Sequence, residues 1–329
     1  MTSKKPNAII KQKKTQKINN MDLKSLKIGI PRALLYHRYP EFYKAFFEKL
    51  GCNVVLSPET NRDIFSKGIA LSIDESCLPS KIYLGHIDWL LDKCDFIFIP
   101  RVSNFGFTDK LCAKFYAVYD IVASTFPKEK DKFLDLNIDY INGKKEKPAF
   151  LAVGKKLGFS KKETIQAYDK AKQVEHTANA ERREKLLKQL KSDKLKILVV
   201  SHAYNTYDEY IGKPIMRALA KQGVEVLNIL DIEGEDTKAL FTKYTKSLYW
   251  AYNKELVGAL VYLEEFIDGI VIITAFPCGP DAMVNEMLLR RQKKIPMINL
   301  VIDELAAEGG LETRIEAFVD MLSEFQKTR

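Results

Sequence analysis

The chain has 329 residues, of which 46% are hydrophobic, and its formal net charge is +9. This length predicts two domains rather than one, and the composition is that of a globular protein with a buried core. No apolar run is long enough to cross a bilayer, and the first twenty residues lack a secretory h-region, so we expect a cytoplasmic protein without membrane association.

The positive charge is concentrated at the start of the chain. Residues Met1–Asn20 contain six lysines and no acidic residue. This low-hydrophobicity, like-charged segment (1–20) predicts a disordered basic arm. Without its lysines the rest of the chain carries only +3. Since no basic stripe interleaved with aromatic residues is present either, nucleic-acid binding is not expected.

A first α/β lobe is predicted over residues 21–127. Its opening strand, helix and strand follow one another within about 30 residues, which indicates a βαβ unit and therefore a parallel sheet. The predicted strands are Leu26–Ile30, Asn53–Leu56, Ile69–Ile73 and Phe96–Pro100, and the predicted helices are Arg32–Leu50, Ile82–Leu91 and Ala113–Phe126.

A charged segment, residues 128–194, then predicts a helical connecting region that packs outside the sheet or bridges two lobes. The α/β pattern restarts after it, so residues 195–329 predict a second lobe. Its predicted strands are Leu195–Ser201, Val224–Ile229, Gly269–Thr274 and Met297–Ile302, and its predicted helices are Tyr210–Gln222, Leu248–Phe266, Asp281–Arg291 and Gly310–Glu324. The predicted fold class is α/β, with two doubly wound parallel-sheet lobes of the Rossmann or flavodoxin type.

The five cysteines fall into two groups. Their odd number and wide spacing, with no CxxC pair, argue against a disulfide framework. Cys77, Cys112 and Cys278 each follow a predicted strand and precede a predicted helix, so they lie at the carboxyl ends of strands, where α/β sheets bind ligands. Cys52 and Cys94 instead lie between a helix and the next strand, and we interpret them as structural.

Three thiols at helix starts suit metal binding. The helix N-terminus favours the thiolate, which is the form that binds metal. Three thiolates suit a [4Fe–4S] cluster with one open iron, whereas structural zinc prefers four closed ligands. We therefore predict that the sulfurs of Cys77, Cys112 and Cys278 converge within about 8 Å. On spacing alone, three unrelated buried cysteines remain the alternative.

Other polar residues follow predicted strands and are candidate catalytic groups. His202 and Tyr204 follow the Leu195–Ser201 strand and could donate hydrogen bonds to cluster sulfides or to a substrate, or could simply pack their loop. Glu304 follows the last strand and could face the same crevice. Asp281, three residues after Cys278, is interpreted as a helix cap.

The same segments carry a family resemblance. The stretches are KIGIPRALLYHRYPEFYKAFFEKLG, SIDESCLPSKIYLGHIDWL, KLCAKFYAVYD, SHAYNTYD, and FPCGPDAMVNEMLLRR with its following DE. They resemble components of 2-hydroxyacyl-CoA dehydratases and, more closely, the acyl-CoA dehydratase activase-related or CoA-protein activase branch (DUF2229 type). The resemblance covers about Lys27 to Leu322, nearly the whole folded chain.

The resemblance implies a [4Fe–4S] cluster between two lobes, or the double-cubane cluster of a related branch, with Cys77, Cys112 and Cys278 as ligands. It also implies an ATP-dependent activator ATPase of the actin/Hsp70 type as electron donor, an acyl-CoA substrate, and a homologous subunit or a homodimer. The implied chemistry is a lyase reaction, radical dehydration of a 2-hydroxyacyl-CoA, or another low-potential reduction. The alternatives are a non-catalytic cluster-carrying scaffold or assembly partner, and a cluster-free α/β binding module.

The sequence departs from the family pattern at two places. Ala113 follows the second cysteine where this branch often has proline, and Asp303–Gly310 reads DELAAEGG where the family resembles DEHTGEAG. The missing histidine and threonine put the substrate chemistry in doubt. The chain also has neither a P-loop nor a GxGxxG after a strand, so low-potential electrons are expected from a partner.

Overall fold

The computed structural model describes residues 25–232, 235–305 and 308–327, so the predicted arm (1–20) lies outside the described residues. Within these ranges the strands form two four-stranded, all-parallel sheets. The strands are β1 (Lys27–Ile30), β2 (Asn53–Leu56), β3 (Phe96–Asn104), β4 (Phe133–Asp139), β5 (Lys196–Val200), β6 (Glu225–Asn228), β7 (Gly269–Ala275) and β8 (Met297–Ile302). The predicted α/β class with two doubly wound lobes is confirmed.

Helices connect successive strands on both sides of each sheet. They are α1 (Pro40–Lys49), α2 (Arg62–Ala70), α3 (Leu78–Leu90), α4 (Ala113–Thr125), α5 (Glu146–Leu157), α6 (Lys161–Gln189), α7 (Ala203–Thr206), α8 (Gly212–Lys221), α9 (Glu235–Lys238), α10 (Ala251–Leu263), α11 (Gly279–Arg291) and α12 (Glu308–Lys327). Short 3-10 turns occupy Leu34–His37, Lys130–Lys132, Ile229–Asp231 and Ala239–Lys243. No helix in the described ranges is long and apolar enough to span a membrane.

The two sheets have the same topology. Their strand orders are β2-β1-β3-β4 and β6-β5-β7-β8. In each lobe the chain runs outward from the first strand to the second and then returns to the far side of the first. The strand order therefore reverses between β1 and β3 and between β5 and β7, and the crevice at such a reversal is where open α/β sheets bind ligands.

The predicted strand Ile69–Ile73 is wrong, because this segment ends helix α2 and enters the following turn. Asn61 caps the helix, its side-chain oxygen accepting a hydrogen bond from the amide of Ile64 at 3.0 Å. The apolar residues Ile64, Phe65 and Ile69 recur at helical spacing, which the short apolar run at the end of the helix obscured. Cys77 therefore follows a helix rather than a strand.

The predicted helical connecting region, 128–194, needs a correction as well, because it contains β4, the fourth strand of the first sheet. Buried Leu134, Leu136 and Ile138 alternate with polar residues along this edge strand. Among those polar residues, Asp135 accepts two hydrogen bonds from Arg101 of β3, at 2.9 and 2.8 Å. This alternation is the period-2 pattern of a strand, hidden within a charged composition.

Helix α6 bridges the two lobes. It begins at Ser160 with a capping box closed by Glu163. Its first half packs Ala167 and Ala171 into the core of the first lobe. Its last turns pack Leu186 against the second sheet. The larger of the two hydrophobic clusters among the described residues includes residues of both lobes. The lobes therefore pack directly against one another and are not joined by a linker alone.

Candidate functional site

Three cysteines, which we call the cysteine site, begin three helices. Cys77, Cys112 and Cys278 are the N-cap residues of α3, α4 and α11, all with extended backbone, and none uses its side chain to cap the helix. Pro79 and Pro280 occupy the first turns of α3 and α11, where a missing amide proton costs nothing. The predicted position of the three cysteines at helix starts is confirmed, and their thiols are not engaged in capping.

The loops that carry these cysteines meet at the seam between the lobes. The amide of Leu78 donates a hydrogen bond to the carbonyl of Phe276, at 3.0 Å, which ties the Cys77 loop to the Cys278 loop. Cys112 and Cys278 line one small cavity of about 20 Å³. The cysteine site thus draws two thiols from the first lobe and one from the second, as the sequence predicted. The spacing of the three sulfurs stays a prediction.

Burial dominates the thiol electrostatics. It raises the pKa of both Cys112 and Cys278, and the neighbouring Cys77 adds to the effect. Backbone amides at the start of α4 lower the pKa of Cys112, but by less than burial raises it. The expectation that the helix starts would favour the thiolate is therefore wrong for the free thiols of Cys112 and Cys278, because desolvation outweighs the helix dipole. Metal binding to such thiols would release their protons.

A buried hydrogen-bonded group lies beside the cysteine site. His202 Nε2 is 2.9 Å from Asp281 Oδ1, and Asn253 donates to the same oxygen at 3.0 Å. Tyr204 stacks on the His202 ring at a centroid distance of 5.0 Å. Burial raises the pKa of Tyr204 well above its usual value, with further contributions from Asp281 and all three site cysteines. His202 and Tyr204 are therefore brought to the site, and their roles stay predictions.

Sequence reasoning set Asp281 aside as a helix cap and missed Asn253. Asp281 is not the helix cap, because Cys278 holds that position and the Asp281 carboxylate points instead to His202 and Asn253. Burial opposes its ionisation, but His202 and the hydrogen bonds lower the pKa of Asp281 below its usual value. A signal for Asn253 existed, since the sequence Asn253–Glu255 places three polar residues in an otherwise apolar helix, and all three are buried.

Glu304 does not join His202 and Tyr204. Its carboxylate pairs with Lys81, at 2.8 Å, and the Lys81 side chain is 6% exposed. Lys81 lies one turn after Cys77 on α3, so this pair links the two lobes beside the cysteine site. Glu304 is therefore placed as part of the seam, and its proposed catalytic role stays a prediction.

Cys52 and Cys94 lie in the hydrophobic core, apart from the cysteine site. Cys94 donates to the carbonyl of Leu90 at 3.1 Å and packs against Gly29 of β1. Burial raises the pKa of Cys52 to about 12 and that of Cys94 to about 11. Among the described residues, no three His, Cys, Asp or Glu side chains are grouped closely enough to hold a single metal ion.

A family model described as CoA enzyme activase uncharacterised domain (DUF2229) matches residues 27–230, more than half of the chain. The match includes Cys77, Cys112, His202 and Tyr204 and ends before Cys278. A search of curated proteins gave no significant match.

Among solved structures, the laminin-binding protein Lbp of Streptococcus pyogenes is 9% identical, with 91% of this chain and 99% of that chain covered and a TM-score of 0.27. A mutant variant of Zn(II)-bound AdcAII of Streptococcus pneumoniae is 12% identical, with coverages of 91% and 98% and a TM-score of 0.27. At such TM-scores these likenesses carry no weight for fold or function.

Proposed function

The chain belongs to the CoA enzyme activase domain family (DUF2229), and from this premise we propose that it is an iron–sulfur redox protein that holds a cluster on Cys77, Cys112 and Cys278. One observation carries the proposal. Three cysteines, none of them used as a helix cap by its side chain, begin three helices whose loops meet at the seam between the lobes.

The donor set fits such a cluster. Three thiolates with one iron left open are the ligation of a [4Fe–4S] cluster that exchanges a fourth ligand, and backbone amides at helix starts can donate to its sulfurs. A larger double-cubane cluster would need further ligands from another subunit. When bound, the cluster would supply low-potential one-electron chemistry.

The space between the thiols is small. The cavity of about 20 Å³ has room for about one water, and the half-buried Tyr204 lies close enough to all three cysteines for their charges to act on its hydroxyl. Cluster loading therefore requires the Tyr204 ring to move or the three loops to part. The Asp281 carboxylate is hydrogen-bonded to Nε2 of the His202 imidazole. These two residues would therefore form a rigid polar surface on the second-lobe side of the cluster.

An activator ATPase of the actin/Hsp70 type is the proposed electron donor, since the sequence has no phosphate-binding loop of its own. Large apolar side chains on the loops around the cysteine site support a docking surface there. Phe107, Tyr249, Phe276 and Leu305 are 78%, 64%, 57% and 86% exposed. Exposed large apolar groups are typical of protein interaction sites when they form a contiguous patch.

A second candidate, a cluster-carrying scaffold or assembly subunit without substrate chemistry, is favoured by the same small cavity. An acyl-CoA thioester does not fit in about 20 Å³. The departures at Asp303–Gly310 point in the same direction. Radical dehydration of a 2-hydroxyacyl-CoA on this chain would require a pocket formed together with a homologous subunit or a second copy.

The test compares Cys278→Ala with Cys94→Ala after anaerobic reconstitution, by iron and sulfide content and EPR. Cys278→Ala should lose the cluster, because a methyl group cannot ligate iron. Cys94→Ala is the matched control and should keep it, at a stability cost on the order of 1 kcal/mol. Equal iron in the two variants would refute the ligand assignment. Full reduction by a mild donor without activator and ATP would refute the proposed electron supply.

A further inference from the structure

A second cavity, which we call the cleft, lies between the lobes and shares no lining residue with the cavity at the cysteine site. Its volume is about 510 Å³, within the range of small-molecule sites. In the first lobe it is lined from the segments that follow β1 and β2, and in the second lobe from those that follow β5 and β6. Helix α6 closes one wall with Arg182, Lys185 and Gln189. The cleft therefore stands at carboxyl ends of strands, where α/β sheets bind ligands.

One carboxylate in the cleft, that of Asp231, reduces the stability of the native state when it is ionised. Asp231 follows β6 by three residues, and burial raises its pKa to about 6, against the opposing charges of Lys185 and Arg182. No described residue forms a hydrogen bond or a close ion pair with the Asp231 carboxylate. Lys185 likewise has no bonded partner among the described residues. A half-buried acid that destabilises the native state and bonds nothing within the chain is typical of a binding residue.

Two buried nitrogen atoms on the first-lobe wall are also without partners. Arg32 Nε and His37 Nε2 are shielded from solvent and make no hydrogen bond among the described residues. Burial lowers the pKa of His37 to about 3, so its ring is neutral at physiological pH. The other ring nitrogen of His37 bonds the backbone of Arg32, so Nε2 of the neutral ring is an acceptor, whereas Arg32 Nε is a donor. Unmet hydrogen-bonding groups on both walls of one cavity therefore indicate a ligand that carries both donors and acceptors.

The position of Asp231 narrows the ligand class. In dinucleotide-binding sheets, an acidic residue that follows the phosphate-binding turn accepts a hydrogen bond from a ribose hydroxyl. Asp231 comes after the second strand of its lobe, where such an acid reaches the crevice. Tyr36, His37 and Tyr207 add a cluster of aromatic rings to the lining, with His37 5.6 Å from Tyr36 and 6.5 Å from Tyr207 between centroids.

We propose that the cleft is a second ligand site, which takes a ribonucleoside phosphate. The ribose hydroxyls donate to Asp231, the base lies against the aromatic rings, and the phosphate is held by Lys185 with Arg182 and Arg32 nearby. Since the chain has no glycine-rich phosphate loop, side-chain cations take over that task. The site is separate from the cysteine site, so it does not depend on whether a cluster is bound.

The test is calorimetric titration of the full chain with AMP and UMP, and with their 2′-deoxy forms. At least one of the two ribonucleotides should bind, and its 2′-deoxy form should bind about tenfold more weakly, because a hydrogen bond to a charged carboxylate is lost. In Asp231→Asn the difference between the two forms should shrink, because the amide oxygen still accepts a hydrogen bond but carries no charge. Lys185→Met should weaken both forms by a similar factor.

The controls are Asp320→Asn and Lys162→Met, which remove exposed charges of the same type from residues that do not line the cleft and should leave binding unchanged. Loss of binding through misfolding is separated by a thermal melt, since Asp231→Asn is expected to be at least as stable as the natural chain. No binding of either ribonucleotide would overturn the proposal. Full discrimination against the 2′-deoxy form in Asp231→Asn would overturn the role of Asp231.

Discussion

Burial has a larger effect than the helix dipole on the pKa of several residues that lack an oppositely charged partner. Cys112 and Cys278 begin helices, yet desolvation raises their pKa. His86 is fully buried between Ser57 and Thr60, and desolvation lowers its pKa to about 3. A buried group without an oppositely charged partner therefore loses its charge in the native state, and its titration becomes linked to stability.

Asp231 makes this link measurable. Its pKa is about 6 in the native state against a usual value of 3.8, so between about pH 4 and 6 the native state binds more protons than the unfolded state. Stability from this group therefore falls as the pH rises through that window, and stays lower above it. Asp231→Asn should stabilise the protein at pH 7 by on the order of 1 kcal/mol.

Urea denaturation of Asp231→Asn and the natural chain at pH 7 and near pH 4 checks this prediction. Arg182 and Lys185 of α6 are the positive charges that act on Asp231. The gain should be present at pH 7 and vanish near pH 4, where the native carboxyl is already protonated. A gain of equal size at both pH values would contradict the assigned pKa shift.

At the scale of elements, the helix pair α2–α3 fixes the approach to Cys77. The two helices cross at Gly68 and Gly85, where backbone meets backbone. A Cβ atom on Gly85 would lie 2.0 Å from the carbonyl oxygen of Ile64, and one on Gly68 would lie 2.3 Å from that of Lys81. Such contacts cannot be relieved by a side-chain rotation, so the glycines are required by close packing.

Gly85→Ala should therefore destabilise the protein by about 2–3 kcal/mol, the cost of forcing extra volume into a packed interface. Gly310→Ala is the matched control, because no atom of the described residues lies within 4 Å of its Cβ position in helix α12. That change should be neutral or stabilising, since alanine favours a helix over glycine. Thermal melts of the two variants decide the point, and equal melting temperatures would contradict the close crossing.

At the scale of the whole molecule, polar contacts across the seam hold the lobes together around the cysteine site. Backbone bonds join Lys110 to Tyr249 and Ala251, at 3.1 and 2.9 Å. Arg38 of the first lobe pairs with Glu255 of α10, and their side chains are 18% and 8% exposed. Breaking a buried ion pair of this kind should reduce stability more than breaking an exposed ion pair, because removing one partner leaves a charge in a low-dielectric environment.

Glu255→Gln should cost about 3 kcal/mol, since Arg38 would stay charged without the Glu255 carboxylate. Replacing both partners, with Arg38→Met and Glu255→Leu, should recover much of that loss. Glu184→Gln, which breaks an exposed pair with Lys188 on α6, is the control and should change the melting temperature little. Chemical denaturation of the four proteins checks this, and a double variant as unstable as Glu255→Gln would contradict the buried-pair account.

The basic arm is the remaining prediction at this scale. Deletion of residues 1–20 should leave the melting temperature and the iron content after reconstitution unchanged, because a charged segment of low hydrophobicity adds little to a packed core. Differential scanning calorimetry and iron analysis of the truncated protein measure both. Loss of the cluster on deletion would show that the arm contributes to the site.

The sequence by itself determined the α/β class, seven of the eight described strands and the placement of the site cysteines at helix starts. These features depend on local patterns: short apolar runs, helical periodicity and prolines in the first turns after Cys77 and Cys278. The tertiary structure decided the rest. The apolar run Ile69–Ile73 suits either a strand or the end of a helix, and the structure assigns its start to the end of α2. Strand β4 is recognised by its pairing with β3.

The contacts of Asp281 and the cleft could not be predicted from local sequence patterns either, because both depend on residues far apart in the sequence. Asp281 meets His202 across 79 positions of sequence and Asn253 across 28. The cleft forms only because two lobes and helix α6 close around one volume. Residue types and their spacing determine the helices and strands. The distances between these elements depend instead on how the two lobes pack around their shared core. That packing involves residues far apart in the sequence, so no single segment determines it.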